Sequence, residues 1–203
     1  PKFRPLQLAT LVDAVPSGNG WFHEIKYDGY RAEIAASGSE VRVFTRNGLD
    51  WTDKFAPLVR HIAALDLPPC LIDGEIVAYG KDGNPDFSSL QAVLKRGHGA
   101  QNDATELHLF AFDLLEQDGK SLAKLGNLER KERLEALLRD AVRLRLVADV
   151  PVGCFVSGGV DSGIVAALAA AERAGDPVAT FSIAVPSDPR IDESPYSRAI
   201  AAH

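Results

Sequence analysis

The sequence contains no methionine and only two cysteines among its 203 residues. Cys70 and Cys154 stand far apart and form no CxxC spacing, which argues against a thiolate-bound metal cluster and favours a reducing compartment. A chain that begins at Pro1 and lacks methionine is expected to be a piece of a longer product. Long apolar runs are also missing, because even the stretch 163–171 is short and leads into charged residues. We therefore expect a cytoplasmic protein that does not enter a membrane.

The sequence also has no excess of basic residues over acidic ones. The chain has 22 lysines and arginines against 28 aspartates and glutamates, which gives a formal net charge of -6. A protein coated in basic patches would have the opposite balance, so any nucleic-acid surface must be local. With 46% hydrophobic residues, a chain of this length can form one large or two small globular domains, each with its own core.

The segment around Lys26 places a lysine between an apolar stretch and a sharp turn. Alternation of Trp21, His23 and Ile25 predicts a strand, and Asp28-Gly29 supplies the turn that ends it. Lys26 is therefore expected at a strand end. A lysine amine attacks only in its neutral form, which partial burial or a nearby cation favours. The alternative interpretation is a surface lysine on a hairpin.

This lysine segment is the first of several short motifs that follow one another in a fixed order. They are Lys26-x-Asp28-Gly29-x-Arg31, Arg46-Asn47-Gly48, Asp73-Gly74-Glu75, Phe87 with Leu90-Gln91, and Phe110-Ala111-Phe112-Asp113-Leu114-Leu115. In this order they resemble the nucleotidyl-transfer motifs of ATP-dependent DNA ligases, above all the ligase component of bacterial end-joining enzymes. The resemblance covers roughly the first two-thirds of the chain.

The resemblance implies a reaction and a role for six side chains. Lys26 would attack the α-phosphate of ATP, so that pyrophosphate leaves and a lysyl-AMP forms. The other implied roles are phosphate neutralisation by Arg31 and Arg46, metal or ribose binding by Glu75, adenine stacking by Phe112 and contact with the base by Glu24. ATP and Mg²⁺ are the implied cofactors, and nicked DNA is the implied partner. Taken singly, three of these side chains could equally be structural, since Glu75 could be a paired strand carboxylate, Arg46 a turn cation and Phe112 a core residue.

Hydrophobic periodicity predicts mixed secondary structure in this part of the chain. Strands are expected over 30–36, 41–45, 71–79 and 106–115, helices over 51–65 and 88–96, and a loop over 97–105. Hairpin connections of this kind predict a mostly antiparallel sheet with a few helices.

The character of the chain changes within a predicted amphipathic helix at 129–145. Every lysine lies at or before Lys131, whereas the basic residues from Arg139 onward, apart from His203, are all arginine. A change of origin within this helix would produce that shift.

A second motif, Ser157-Gly158-Gly159-Val160-Asp161-Ser162, stands between a predicted strand at 152–156 and a predicted helix at 163–173. A further strand is expected over 178–185, which makes a parallel strand, loop, helix, strand unit. Glycines at the start of a helix let backbone N–H groups converge on an anion, and the helix dipole adds to the attraction. The alternative is a glycine-rich turn in which Ser162 or Asp161 caps the helix.

The second motif and its flanks resemble the synthetase domain of glutamine-hydrolysing asparagine synthetases. Val150-Pro151-Val152-Gly153 and Asp192-Glu193-Ser194-Pro195-Tyr196 extend the match. The resemblance implies that ATP pyrophosphate and Mg²⁺ are held by Ser157, Gly158, Gly159, Asp161 and Ser162, with Asp161 as the metal ligand. It also implies that Ser182 and Ile183 border the adenine and that aspartate and ammonia are substrates.

Together these observations predict an α/β (α+β) chain of two fragments. Residues 1–137 are expected to form a partial ligase-like adenylation domain with an antiparallel sheet, and residues 138–203 a partial ATP-pyrophosphatase domain with a parallel sheet. The distal lysines and OB-fold of the ligases are not found after Leu115, so ligase-type nucleotidyl transfer is predicted to be incomplete. The alternatives are amide formation of the asparagine synthase type and an inactive fusion of two ATP-binding fragments.

Overall fold

The computed structural model describes residues 1–21, 23–80, 85–95, 107–157, 159–173, 175–188 and 192–202, with only the backbone of Val160 and Asp161. By its internal contacts the chain divides into two compact units, Pro1–Leu134 and Glu135–His203. The loop predicted over 97–105 lies outside the described residues. The junction predicted after residue 137 stays a prediction.

A β-hairpin begins the sheet of the first unit. Strands β1 (Tyr30–Gly38) and β2 (Glu40–Thr45) pair in antiparallel fashion. Strand β2 alternates between exposed and buried residues and buries Val43, whereas β1 is buried on both faces over 32–36, with Ile34 at the centre. At the turn, Gly38 has a φ of +60°, a conformation that glycine adopts without steric cost. The predicted hairpin is confirmed.

The long strand β3 (Leu67–Ala78) lies at the centre of the sheet. With β4 (Leu107–Gln117) and the short β5 (Lys120–Ser121), the strand order is β2-β1-β3-β4-β5, and every neighbouring pair is antiparallel. Strand β3 begins earlier than predicted and includes Pro68-Pro69, at a shift in its register with β1. Proline is tolerated there because a bulge does not need every N–H of the strand. The predicted antiparallel sheet is confirmed.

Helices pack on the strands of this sheet. A 3-10 helix (Thr52–Phe55) leads into α1 (Ala56–Ala63), which packs on β2 and β4, and α2 (Phe87–Lys95) packs on β3. These helices place apolar side chains in the core, namely Phe55, Leu58, Ile62 and Leu90. Across the described ranges, no helix combines the length and the apolar character that a membrane span requires.

The strand predicted before Lys26 is wrong. Residues 23–28 form no strand, and β1 begins only at Tyr30. The alternation of Trp21 and Ile25 does not mark a buried face, because both side chains are exposed. The pairing of β1 with β3 begins only at Tyr30, opposite Ile76, and the residues before it do not extend the ladder. Lys26 therefore lies in an irregular segment.

A buried carboxylate fastens the N-terminal segment to the sheet. Glu33 of β1 is fully buried and accepts a hydrogen bond from the backbone N–H of Arg4, with an N to Oε1 distance of 2.9 Å. The Arg4 guanidinium pairs in turn with Glu116 of β4. Within the part of the chain that the structure describes, Glu33 Oε2 has no hydrogen-bond partner. Burial raises the pKa of Glu33 from 4.5 to about 7, against the opposing effect of the Arg4 N–H.

We expect this carboxyl group to make the first unit less stable as the pH rises from 4.5 to 7. In that range the folded chain keeps a proton that the unfolded chain releases, so the free energy of unfolding falls by up to about 3 kcal/mol and then levels off. Glu33→Gln should remove this loss while keeping an oxygen for the Arg4 N–H. The variant should be more stable than the parent chain at pH 8 and equally stable at pH 4.

Urea unfolding followed by tryptophan fluorescence measures the effect, because Trp21 and Trp51 are the two tryptophans and both lie in the first unit. Glu40→Gln is the matched control, since Glu40 is an exposed carboxylate on β2. The prediction is wrong if Glu33→Gln and Glu40→Gln have the same pH dependence.

The second unit contains a small parallel sheet. Helix α3 (Asn127–Arg145) runs across the division between the units, and β6 (Gly153–Phe155) follows it. Strand β6 pairs in parallel with β7 (Ala179–Phe181), and helix α4 (Val160–Glu172) stands between them in the sequence. The unit ends with α5 (Ser194–Ala201). The predicted order of strand, loop, helix and strand is therefore present.

Strand β7 is shorter than the predicted strand at 178–185. Ile183 is largely exposed, and the Val185 N–H donates to Asp192 Oδ1 at 3.1 Å instead of to a neighbouring strand. The apolar run after Phe181 thus leaves the sheet to meet the turn before α5. Apolar composition alone could not indicate where the pairing ends.

The two cysteines lie in different units and are both free thiols. Cys70 is fully buried in β3, and this burial raises the pKa of its thiol to about 11. Cys154 is only partly buried, in the short strand β6.

Candidate functional site

Lys26 lies in the irregular segment that precedes β1. Its side chain is 86% exposed, and its Nζ is 3.6 Å from Asp28 Oδ1. The segment is fixed at its end by Gly29, whose backbone N–H donates to Glu75 Oε1 at 3.2 Å. Gly29 also lies so close to β3 that a Cβ atom there would be 2.2 Å from the carbonyl oxygen of Ile76. The motif glycine is therefore required by a close approach of two backbones.

Arg31 and Asp73 form a two-bonded ion pair on neighbouring strands. Arg31 Nε donates to Asp73 Oδ1 at 3.1 Å, and Nη2 donates to Oδ2 at 2.7 Å. The Asp73 side chain is 3% exposed. Burial raises the pKa of Asp73 against the opposing effect of Arg31, while the hydrogen bonds to Asp73 raise the pKa of Arg31. The guanidinium is thus held rigidly as a cation.

Glu75 stands opposite Arg31 in the register of β1 and β3. Burial raises the pKa of Glu75, while the Gly29 N–H and the charges of Lys26 and Arg31 lower it. The structure brings the predicted residues Lys26, Arg31 and Glu75 into one neighbourhood.

Aromatic rings from β4 lie on the same part of the first unit. The Arg31 guanidinium carbon is 5.7 Å from the centre of the Phe112 ring, a cation–π contact. Phe112 is the extra residue at an irregularity in the pairing of β3 with β4, between Ala111 and Asp113. Phe110, which pairs with Glu75, stacks on Tyr27 with ring centres 3.7 Å apart. Neither ring of this stack had a role predicted from the sequence.

The beginning of helix α3 contributes two cations for which the sequence predicts no role. Lys131 Nζ donates to the backbone oxygen of Phe112 at 2.6 Å and forms an ion pair with Glu24. Arg130 forms two hydrogen bonds with Asp113, at 2.7 and 2.8 Å. The predicted residues Glu24 and Phe112 are therefore linked through Lys131. The arginine and lysine at 130–131 were visible in the sequence, but no local pattern indicates their distant partners.

Arg46 directly follows Thr45, which stands opposite Ala32, the chain neighbour of Arg31, in the register of β1 and β2. It lies exposed in the turn after β2, where the Gly48 N–H donates to the Thr45 carbonyl oxygen at 2.8 Å. Strand β2 is at the edge of the sheet, and β1 separates it from β3. The role predicted for Arg46 stays a prediction.

The described residues include no group of three or more His, Cys, Asp or Glu side chains that could hold a metal ion. Glu75 offers a single carboxylate, and the side chain of Asp161 lies outside the described residues. Mg²⁺ is commonly held by one or two carboxylates together with the phosphates of a substrate. The oxygen donor of Glu75 thus fits a Mg²⁺ ion that arrives with a nucleotide.

In the second unit, the Ser157–Ser162 loop begins helix α4. The two hydroxyl oxygens are 3.1 Å apart, the Ser157 N–H donates to Ser162 Oγ at 3.2 Å, and Ser162 Oγ donates to the Gly159 carbonyl oxygen at 3.2 Å. Gly158 lies outside the described residues. Ser182 and Ile183 follow β7 directly, and the Val156 N–H donates to the Phe181 carbonyl oxygen at 2.8 Å. The Ser157–Ser162 loop and residues 182–183 therefore both lie at the carboxyl end of the parallel sheet.

Comparisons with known families give one match for each part of the chain. The model of the ATP dependent DNA ligase domain matches residues 7–153, and the model of asparagine synthase matches residues 133–203. The two matches overlap within and just after helix α3. The resemblance to the ligases stated from the motifs is confirmed by the first match.

Individual relatives also match the first part of the chain. The multifunctional non-homologous end joining protein LigD of Pseudomonas aeruginosa is 38% identical over 150 residues, which are 73% of this chain and 17% of that protein. A DNA ligase of Natronomonas pharaonis is 34% identical over 146 residues, 70% of this chain and 27% of that protein. Among solved structures, a mycobacterial DNA ligase D complexed with ATP and MES is 32% identical, with a TM-score of 0.48 over 56% of this chain and 35% of that one. The chain thus spans only a small part of each relative.

Proposed function

The chain belongs to the family of ATP-dependent DNA ligase domains, and we propose that its first unit transfers AMP from ATP to Lys26. The observation that carries the proposal is the hydrogen bond from the Gly29 N–H to Glu75 Oε1, at 3.2 Å. It ties the lysine segment to the strand whose Asp73 holds Arg31. This arrangement supports a site at which a nucleophile, a fixed cation and a carboxylate act on one nucleotide.

In the proposed reaction, neutral Lys26 Nζ attacks the α-phosphorus of ATP. A phosphorus–nitrogen bond forms while the bond to the leaving pyrophosphate breaks, and the amine gives up a proton to solvent. Arg31 would neutralise charge on the phosphates, because its guanidinium is held in place before the substrate arrives. Arg46 is proposed to add a second positive charge. Mg²⁺, held by Glu75 and the nucleotide, would withdraw charge from the phosphate oxygens.

The base would lie against Phe112, with Glu24 at its edge. The Arg31 guanidinium carbon lies 5.7 Å from the centre of the Phe112 ring. The proposed phosphate-binding group is therefore next to the proposed stacking surface. Such an arrangement suits a nucleotide, which joins an aromatic base to an anionic phosphate chain.

Nicked DNA is the proposed acceptor of the AMP, in a DNA-repair reaction in the cytoplasm. The relatives named DNA ligase and end joining protein support this part of the proposal. A net charge of -6 disfavours close approach of the chain to the DNA backbone. We therefore propose that self-adenylation is its main activity and that nick sealing is slow.

The match to the asparagine synthase family over 133–203 favours a second candidate function for the second unit. In this proposal the Ser157–Ser162 loop binds the pyrophosphate of ATP, with Mg²⁺ at Asp161 and adenine beside Ser182 and Ile183. Aspartate would be activated as an acyl-adenylate and attacked by ammonia. Nothing in this route leaves AMP on the protein.

Intact-mass spectrometry after incubation with ATP and Mg²⁺ tests the first proposal. We expect the mass of one AMP to be added, peptide mapping to place it on Lys26, and removal of Mg²⁺ with a chelator to prevent it. An unchanged mass would contradict the proposal and leave the second candidate or an inactive fusion. An adduct at a different lysine would contradict the site.

A further inference from the structure

We propose that Lys131 is a positioning residue that holds Glu24 at the edge of the adenine base and thereby sets the preference for ATP. This inference rests on the adenylation proposed above. Lys131 belongs to helix α3, while the groups that it contacts belong to β4 and to the segment before β1. One ammonium group therefore joins three parts of the first unit that are distant in the sequence.

The contacts of Lys131 link the two groups proposed to recognise the base. Its Nζ donates to the backbone oxygen of Phe112 at 2.6 Å, and the same nitrogen is paired with Glu24 Oε1. The ring of Phe112 is the proposed stacking surface, and the carboxylate of Glu24 is the proposed contact at the base edge. Lys131 thus fixes the distance between the Phe112 backbone and the Glu24 carboxylate.

The position of Lys131 is itself fixed by the preceding residue. Arg130 donates to both oxygens of Asp113 and, through Nη1, to the carbonyl oxygen of Leu125 at 2.7 Å. These bonds hold the first turns of α3 against β4. The Lys131 side chain is 22% exposed, whereas that of Glu24 is 49% exposed. Glu24 is thus the less enclosed partner, and pairing with the better-buried ammonium restricts its rotamers.

A fixed carboxylate at the base edge discriminates between purines by hydrogen-bond chemistry. A carboxylate only accepts hydrogen bonds. The exocyclic amine of adenine donates, whereas guanine presents a carbonyl oxygen at the same ring position. A Glu24 carboxylate held in place would accept a hydrogen bond from the adenine amine and would repel the guanine carbonyl oxygen. Without Lys131, Glu24 could turn toward solvent, and both the affinity for ATP and the preference over GTP would fall.

The test uses the full chain and measures the rate of lysyl-AMP or lysyl-GMP formation against nucleotide concentration in single turnover. For Lys131→Met we expect the half-saturating ATP concentration to rise by about 10-fold to 100-fold, the effect of losing a charge-assisted hydrogen bond. The preference for ATP over GTP should fall by a similar factor, while the maximal rate with ATP changes little. Lys131→Arg keeps the cation and should restore part of the preference.

Lys124→Met is the matched control, because Lys124 is an exposed lysine of the same unit. It should leave both measurements unchanged. In a Glu24→Gln background, Lys131→Met should change the half-saturating concentration by no more than about twofold, since the two residues act as one unit. If Lys131→Met alone reduces the folded fraction seen by circular dichroism, Lys131→Arg, which keeps the cation, and Glu24→Gln keep the inference testable.

Two outcomes overturn the inference while leaving the proposed function intact. In the first, Lys131→Met keeps the half-saturating concentration and the purine preference of the parent chain. In the second, it slows labelling by both nucleotides equally, which is the result of a merely structural role. If the parent chain forms no adduct and shows no ATP binding by calorimetry, the proposed function fails and this inference fails with it. If the parent chain binds ATP without forming an adduct, calorimetry with ATP and GTP measures the purine preference of the parent chain and of Lys131→Met.

Discussion

Replacement of Lys26 by alanine is expected to abolish covalent AMP labelling of the chain without changing its stability. The labelling requires an amine at this position, because the phosphorus–nitrogen bond is made by Lys26 Nζ in the proposed reaction. The Lys26 side chain is 86% exposed, so its removal should change the free energy of unfolding by less than about 0.5 kcal/mol. The expected result is thus a complete loss of adduct in a normally folded chain.

Two further variants separate the nucleophile from its charge. Lys26→Arg keeps a cation but places a guanidinium, which stays protonated, where the amine was, so it should be as inactive as the alanine variant. Lys124→Ala removes an exposed lysine of the same unit and should label normally. Intact mass measures the AMP labelling of each variant, and urea unfolding measures its stability. Labelling that persists in Lys26→Ala, or that moves to another lysine, would show that Lys26 is not the nucleophile.

Gly29→Ala is expected to be almost as damaging, although it removes no functional group. A Cβ atom at Gly29 would lie 2.2 Å from the Ile76 carbonyl oxygen and 3.0 Å from Val77 Cγ2. Strand β3 cannot yield, because it is paired on both sides, so the segment that carries Lys26 must move instead. The bond from the Gly29 N–H to Glu75 would be lost. A displacement of about 1 Å at a reacting group costs about 100-fold in rate.

We therefore expect Gly29→Ala to label at least about 100-fold more slowly and to lose about 2 kcal/mol of stability, the usual cost of overpacking. Gly20→Ala is the matched control within the same segment, because nothing lies within 4 Å of a Cβ at Gly20. Labelling rates from quenched time courses and urea unfolding provide the measurements. The close approach at Gly29 would have no functional meaning if both alanine variants labelled at the parental rate.

Much of the first unit could be predicted from local patterns. The hairpin of β1 and β2, the helices α1 and α2 and the strand β4 follow from periodicity and turn residues that act over a few positions. The motif order alone indicates Lys26, Arg31 and Glu75 as members of one site. The strand expected before Lys26 is wrong because alternation alone does not bury a face, and Trp21 and Ile25 are both exposed.

The linking residues of the site could not be predicted in the same way. Lys131 and Glu24 are 107 positions apart in the sequence, and Asp73 and Arg31 are 42 apart. No local period indicates such pairs, since their contact depends on how strands and helices pack after they form. The stack of Tyr27 on Phe110 is of the same kind. These contacts appear only when the whole sheet is assembled.

The two cysteines lie in different units, so the alkylation rate of each thiol reports how often its own unit opens. Cys70 is fully buried in β3 and burial raises the pKa of its thiol to about 11, so an alkylating reagent should reach it only when the first unit opens as a whole. Cys154 lies partly buried in a three-residue strand, and small local openings suffice to expose it. The ratio of the two alkylation rates therefore records how independently the two units unfold within a single molecule.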